Sequence, residues 1–401
     1  MIVSSPDFLL KTSNAMQLPE HISKEKWNRL KAVADTHETP FLLIDLPTVA
    51  EKYQQLRDGF SFASVYYAVK ANPASEILGL LAELGSSFDI ASVYELDQVL
   101  AHNVSPERIS FGNTIKKRKD IAYFYEKGVR LFATDSEADL INIAEYAPGS
   151  RVYIRILTEG SEGADWPLSR KFGCNPEMAV ELAVLANKLG LEPYGISFHV
   201  GSQQRHIDVW DAAIAKVKVI FDRLREEQAI QLRMINMGGG FPAQYLTKAN
   251  EFSVYCEEII RFLKEDFGEN PPEIILEPGR SLVGDSGLMV SEVVLISRKS
   301  NTALNRWIYS DVGLFNGLIE TLGEAIKYPL CTERDGEVEE VVLAGPTCDG
   351  MDIMYEDHKY QLPMSLEIGD RLYWFSTGAY TTSYSSVEFN GFPPLKYYYV
   401  R

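Results

Sequence analysis

From residue 64 onward the apolar positions fall into a repeating alternation. Short runs rich in β-branched and aromatic residues are each followed by a turn and then by an amphipathic pattern of helical period. The runs are Ser64–Val69, Ser87–Ala91, Arg108–Gly112, Val129–Thr134, Arg151–Leu157, Gly195–Val200, Arg233–Met237 and Glu273–Leu276. Between them lie helical patterns such as Ser75–Leu84, Val93–Ala101, Lys117–Lys127, Pro176–Leu189, Val209–Glu227 and Phe252–Phe267. Strands alternating with helices imply parallel βαβ units. Eight such units predict an α/β fold with a (β/α)8 barrel over residues 41–281, although counting alone leaves a doubly wound sheet open.

Past residue 282 the texture changes. Leu288–Ile296, Arg306–Ser310, Glu339–Ala344 and Arg371–Phe375 read as strands separated by turn residues, with no long helical pattern between them. This predicts a second, mainly antiparallel β domain built from residues 282–401 together with 1–40. Composition narrows the partners. The 401 residues are 46% hydrophobic, enough for a full core, and carry a net charge of −17, which argues against nucleic acid and anionic membranes as partners and suits a cationic small molecule. Cys174, Cys256, Cys331 and Cys348 show neither metal-ligand nor disulfide-framework spacing. No apolar run approaches the length of a spanning helix, so a cytoplasmic protein without a structural metal is expected.

The candidate chemistry lies at the predicted strand exits. Lys70 ends the apolar run Tyr66-Tyr67-Ala68-Val69 and precedes Pro73. A random lysine is usually a solvated surface group, but one at a strand exit points its amine into a barrel mouth, and lysine amines form Schiff bases with carbonyl compounds such as pyridoxal phosphate. Asp89 and Glu95 flank the second strand, Asn113 follows the third and Arg155 lies in the fifth. His199 and Ser202 follow the sixth, Gly238, Gly239 and Gly240 the seventh, and Glu277 and Arg280 the eighth. A phosphate needs backbone N–H groups free of Cβ atoms, a hydroxyl and a cation, and Gly238–Gly240, Ser202 and Arg280 supply these types. A pyridine nitrogen needs an acid, for which Glu277 suits, and a flat group over one ring face, for which His199 suits. Taken singly, the glycines could be a tight turn, Glu277 and Arg280 a salt-bridged turn, and His199 a core residue; their joint order on successive strands favours a site.

Together, Tyr67–Pro73, His199–Ser202, Gly238–Gly240, Glu277–Arg280, Cys348-Asp349 and Gly378–Tyr380 resemble the fold-type III pyridoxal phosphate-dependent decarboxylases, the ornithine/diaminopimelate/arginine decarboxylase group. The resemblance runs from about residue 40 to the end. Cys348-Asp349-Gly350-Met351-Asp352 and Phe389-Asn390-Gly391-Phe392 look like the ornithine decarboxylase branch, and the segments Trp166–Gly173 and Ser376–Pro394 look most similar to its bacterial ornithine or lysine/ornithine members. The resemblance implies decarboxylation of L-ornithine to putrescine and CO2, as in polyamine biosynthesis, with L-lysine to cadaverine as a further reaction. It implies that Lys70 holds the cofactor, Glu277 sustains the electron sink, Cys348 reprotonates Cα and Asp349 binds the distal ammonium. It places Asp89, Ser202 and Tyr380 among the cofactor contacts. It also implies a homodimer whose two active sites are shared, with Cys348 and Asp349 coming from the neighbouring subunit.

Two departures stand out. A family arginine aligns with Pro167, and the specificity segment after Asp311 carries its nearest acid, Glu320, about one position away from the aspartate of eukaryotic ornithine enzymes. Glu320 either pairs with the substrate or sits as an exposed helix residue. Other readings are a lysine or diaminopimelate decarboxylase or an amino-acid racemase of the same fold, a barrel hydrolase using Asp89 and Glu95, and an inactive homologue acting as a regulatory binding partner. The presence of Lys70, Glu277, Arg280 and Cys348 weighs against the last.

Overall fold

The computed structural model describes residues 12–13, 18–158, 163–166, 170–386 and 394–401. Pro167 and the Phe389–Phe392 segment lie outside these. The chain divides into two compact units, Leu46–Ala243 with Lys248–Asp285, and Met1–Asp45 with Gln244–Thr247 and Ser286–Arg401.

The first unit is a closed parallel barrel. Its strands, in chain order, are Ala63–Ala68, Ser87–Ile90, Ile109–Phe111, Leu131–Thr134, Arg151–Arg155, Glu192–Ser197, Met234–Asn236 and Glu273–Leu276, and the eighth pairs with the first. The strands read as near-continuous apolar runs because both faces are covered, one by the barrel interior and one by helices. Tyr66, Leu131, Ala133, Tyr153, Met234 and Ile275 form a buried cluster, and the Tyr153 hydroxyl is satisfied at 2.8 Å by Ser110.

Two helices extend the sequence-based expectation, Leu46–Gly59 and Glu137–Tyr146. The former precedes the first strand and packs against both Phe252–Phe267 and Ser75–Glu83, so it fills the ring position that a helix after the eighth strand would take. That leaves only a single turn, Arg280–Val283, after the eighth strand.

The second unit is a mixed sheet, mainly antiparallel. Its long strand Gly287–Arg298 pairs antiparallel with Phe41–Asp45, Arg371–Phe375 and Arg306–Ser310. Arg306–Ser310 pairs parallel with Gly336–Ala344, and Lys396–Val400 parallel with Phe41–Asp45. Residues 41–45, expected at the start of the barrel, therefore lie in this sheet. Their five consecutive buried positions look like a barrel strand in sequence but satisfy their ladder with Gly287–Val290. Helix Lys24–Ala34 covers one sheet face, placing Trp27 edge-on to Tyr373 at 5.0 Å between ring centroids. No helix among the described residues is long and apolar enough to cross a membrane.

The barrel wall leaves no room for a side chain where the fifth, sixth and seventh strands meet. The ladder between the fifth and sixth strands slips at Val152/Tyr153, and Gly195 follows the slip, opposite Met234. A Cβ on Gly195 would lie 2.3 Å from the Met234 carbonyl oxygen. Because backbone atoms of a closed ladder cannot step aside, Gly195→Ala is expected to destabilise the protein by about 1–3 kcal/mol, read as a lower urea midpoint with an unchanged m-value.

Candidate active site

The polar residues at the C-terminal ends of the strands converge as a parallel barrel requires. Lys70 sits in a 3-10 turn, Val69–Ala71, directly after the first strand. That turn is pinned on both sides: the Ala68 N–H donates to the Pro278 carbonyl at 3.0 Å, and the Tyr67 hydroxyl donates to the Asn72 carbonyl at 2.9 Å. The Lys70 side chain itself is exposed, an amine carried on a fixed backbone root.

Asp89 lies half-buried in the second strand, and its buried Oδ1 has no hydrogen-bond partner among the described residues. The wall opposite is Gly112, where a Cβ would come within 1.8 Å of that oxygen, so the carboxyl occupies the room that the missing side chain leaves. Burial, then the neighbouring Glu277 charge, raises Asp89 well above the ordinary carboxylate range; Glu95 adds to this, while Lys70 and Arg155 oppose it. Glu95 has a local task as well. Ser92 caps helix Val93–Leu100 by accepting the Glu95 N–H, and the Glu95 carboxylate takes the Ala91 N–H at 2.6 Å. Burial raises its carboxyl too. Asn113 bridges its own turn, donating to the Ala91 carbonyl and accepting from the Ile115 N–H. Beside it the buried Lys116 amine ties the third and fourth strand exits, donating to Asn113 O, Ala133 O and the Asp139 carboxylate.

His199 follows the sixth strand, and its Nδ1 accepts the Gly239 N–H at 3.3 Å, which leaves the ring proton on Nε2. Burial, reinforced by the positive charges of Arg155 and Lys70, pushes its pKa down to about 3. The ring is therefore a flat, uncharged surface at neutral pH. Glu277, at the exit of the eighth strand, accepts a hydrogen bond from the Asn236 side-chain amide, and the same Asn236 accepts the Gly238 N–H at 2.8 Å.

The glycine turn departs in detail from the sequence expectation. All three glycines are needed, because a Cβ on Gly238, Gly239 or Gly240 would lie 2.4, 2.6 or 2.7 Å from a backbone carbonyl oxygen. Gly238 and Gly240 also have φ of 64° and 104°. The N–H groups of Gly238 and Gly239, however, are committed to Asn236 and His199, which leaves the Gly240 N–H as the candidate anion donor of the three. Its neighbours suit that: the Arg280 guanidinium is buried at 4% exposure and donates from Nε to the Ser202 hydroxyl at 3.1 Å. Asn236, which orders both Glu277 and the turn, was missed in the sequence; its only signal is an amide at a strand's last position before three glycines.

The second unit carries the remaining candidates. Cys348 and Asp349 are exposed in the loop after strand Gly336–Ala344, and Asp349 Oδ1 accepts the Met351 N–H. The loop is fastened by Asp352, 3% exposed, whose two oxygens take the N–H groups of Leu314 and Thr347 and the Thr347 hydroxyl. Asp311 is tied to the backbone, accepting the Glu292 N–H at 2.8 Å, and burial raises its carboxyl. Glu320 is 2% exposed in the turn Ile319–Glu324, so the exposed-helix reading of it is corrected: the segment folds inward onto its sheet. Tyr380 adopts a left-handed backbone, φ 54°.

A parallel barrel with an amine at its first exit, an acid at its eighth, and a glycine turn beside a buried arginine is the frame of a barrel-type pyridoxal phosphate enzyme. The family model for the pyridoxal binding domain of pyridoxal-dependent decarboxylases matches residues 46–284. The lysine/ornithine decarboxylase of Selenomonas ruminantium is 32% identical over 364 residues, 90% of each chain. A crystal structure of SrLDC in complex with PLP and cadaverine has a TM-score of 0.84 and 30% identity, covering 96% of this chain and 95% of that one. The lysine/ornithine decarboxylase from Vibrio vulnificus complexed with putrescine gives 0.85 and 26%, covering 94% and 99%. The chain belongs to this family of pyridoxal phosphate-dependent amino-acid decarboxylases.

The lowered pKa of His199 has a measurable sign in the cofactor-free protein. Between about 6.5 and about 3 the unfolded chain binds a proton there that the folded chain refuses, so this group removes stability as pH falls through that window. His199→Gln is expected to flatten the loss of stability between pH 7 and pH 5 relative to the parent, measured by urea unfolding. Parallel pH profiles would contradict a buried neutral ring.

Proposed function

We propose that the protein decarboxylates L-ornithine to putrescine and CO2, and acts on L-lysine as its second substrate. The observation that carries this reading is the convergence of Lys70, Asp89, Glu277, Arg155 and His199 as mutual electrostatic neighbours at one end of the barrel. Lys70 would hold the cofactor's aldehyde through its amine. Ser202, Gly240 and Arg280 would hold the phosphate, with Tyr380 as a further contact. When bound, the cofactor supplies an electron sink for the charge left on Cα as CO2 departs.

The chain's own residues supply the rest. Glu277, oriented by Asn236, would keep a proton on the ring nitrogen. The uncharged His199 ring would cover one face without competing for that proton. Cys348 would return a proton to Cα, and Asp349 with Glu320 would pair the substrate's distal ammonium, since an unpaired buried charge costs several kcal/mol. Cys348 and Asp349 are proposed to act in the site of a second copy of the chain, in a homodimer. Ornithine and lysine differ by one methylene, roughly 1–3 kcal/mol of discrimination, so preference is a matter of pocket length and not of charge.

Purified enzyme loaded with cofactor is expected to release putrescine from L-ornithine faster than cadaverine from L-lysine, with little product from L-arginine or meso-diaminopimelate. Cadaverine dominating would move the specificity to lysine. Lys70→Ala is expected to abolish turnover, and Cys348→Ala to lower it by about 10²–10⁴-fold, the range for a positioned proton donor. Mixing these two inactive variants tests the shared site. Random reassortment of a two-fold dimer makes half of the molecules mixed, each with one intact site, so about a quarter of the parent activity should return. No recovery, with subunit exchange verified, would refute sharing.

A further inference from the structure

The segment that follows His199 is built around a residue that the chemistry above leaves unused. Ser202–Gln204 forms a short strand paired antiparallel with Ala164–Trp166, with Ser202 opposite Trp166 and Gln204 opposite Ala164. Gln203, between them, is fully buried and has φ of 56°, a left-handed conformation that side chains other than glycine and asparagine rarely adopt. Its amide faces the backbone of Ala243, forty residues on. Nε2 donates to the Ala243 carbonyl at 2.8 Å, and Oε1 accepts the Ala243 N–H at 2.9 Å. Both polar groups of one peptide residue are thus answered by one side chain, and the donor–acceptor pattern of Ala243 fixes which way the amide points.

The residues on either side of Gln203 reach the phosphate donors. Ser202 Oγ is the partner of Arg280 Nε, and the Gln204 N–H donates to the Gly240 carbonyl at 2.9 Å. The Gln204 carbonyl is in turn held by the Tyr255 hydroxyl at 3.0 Å. Gln203 therefore fastens the strand that carries Ser202 to the segment Gly240–Ala243 that carries the glycine turn. A buried amide is costly unless fully paired, and a strained backbone persists only where its surroundings demand it. Both features sit at the seam between two phosphate-bearing segments.

We infer that Gln203 is a positioning residue for the phosphate subsite, setting the distance between the Ser202 hydroxyl and the Gly240 N–H without touching the phosphate itself. This rests on the proposal that Ser202, Gly240 and Arg280 hold that group. The inference separates phosphate recognition from the rest of cofactor binding, because the aldehyde is held at Lys70 and the ring beside His199 and Glu277. Loss of the amide should weaken a ligand that has the phosphate and spare one that lacks it.

The test compares pyridoxal phosphate with pyridoxal, titrated into the cofactor-free full-length chain and followed by absorbance. For Gln203→Met, which keeps the volume and loses both hydrogen bonds, pyridoxal phosphate should bind about tenfold more weakly, the size expected from misplaced charge-assisted hydrogen bonds. Pyridoxal should bind as in the parent, so the ratio of the two affinities falls. Where that variant does not fold, Gln203→Asn, which tolerates the left-handed backbone, stays uncharged and is one methylene shorter than the side chain that meets Ala243, is read by the same ratio. Arg280→Met serves as the direct control. Equal weakening of both ligands would mean that Gln203 only supports the fold, and would overturn the inference. An unchanged ratio for Gln203→Met with a lowered one for Arg280→Met would overturn it while leaving the phosphate site intact. An unchanged ratio in both would mean that the phosphate lies elsewhere, and the inference would fall with that site.

Discussion

The barrel mouth depends on a shared balance of charge. Three carboxyl groups, Asp89, Glu95 and Glu277, and two cations, Lys70 and Arg155, meet there: Glu277 and Glu95 add to the burial that raises Asp89 while Lys70 and Arg155 oppose it, and Lys70 likewise opposes the burial that raises Glu95. Coulomb energies grow several-fold as the local dielectric falls, so the charge at Asp89 depends on its neighbours. The consequence is visible at both extremes: Asp89 is pushed toward its neutral form, and burial, reinforced by the cations Arg155 and Lys70, pushes His199 down. A site organised this way offers a neutral ring surface, one acid raised toward its neutral form and one exposed amine. Those are the ingredients that a reaction building negative charge at carbon requires.

What the sequence made legible was what depends on local order. The eight strands were readable because parallel strands covered on both faces become unbroken apolar runs ending in turns, and Lys70 stood out because it ends the first of them. Residues 41–45 carry the same apolar signature, and only their ladder with Gly287–Val290 assigns them to the other sheet. Helix Leu46–Gly59 was overlooked because it comes before the first strand, where the βα rhythm has not yet started. Asn236 and Gln203 were invisible for a different reason. Each is an ordinary amide in sequence, and its task arises from partners forty or so positions away.

The second unit shows the same economy in its loops. Asp352 is the last residue of a five-residue run whose cysteine and first aspartate are the reactive candidates, yet its own carboxylate is spent on backbone N–H groups. Gly313 and Gly345 leave it room, since a Cβ on either would lie 2.3 or 2.2 Å from Asp352 Oδ1. One buried acid thus joins the loop bearing Cys348 and Asp349 to the segment that leads on to Glu320. The pairing links the proposed proton donor and the proposed ammonium partners to a single anchor.

The helix ring closes out of chain order. Leu46–Gly59 is the first ring helix to leave a ribosome, and its neighbour Phe252–Phe267 emerges roughly 200 residues later, ~10–40 s at ordinary rates of synthesis. Until then one apolar flank of that early helix has nothing to pack against, and the first barrel strand lacks the eighth. The seam between the first and eighth strands can therefore close only once residue 276 has been made.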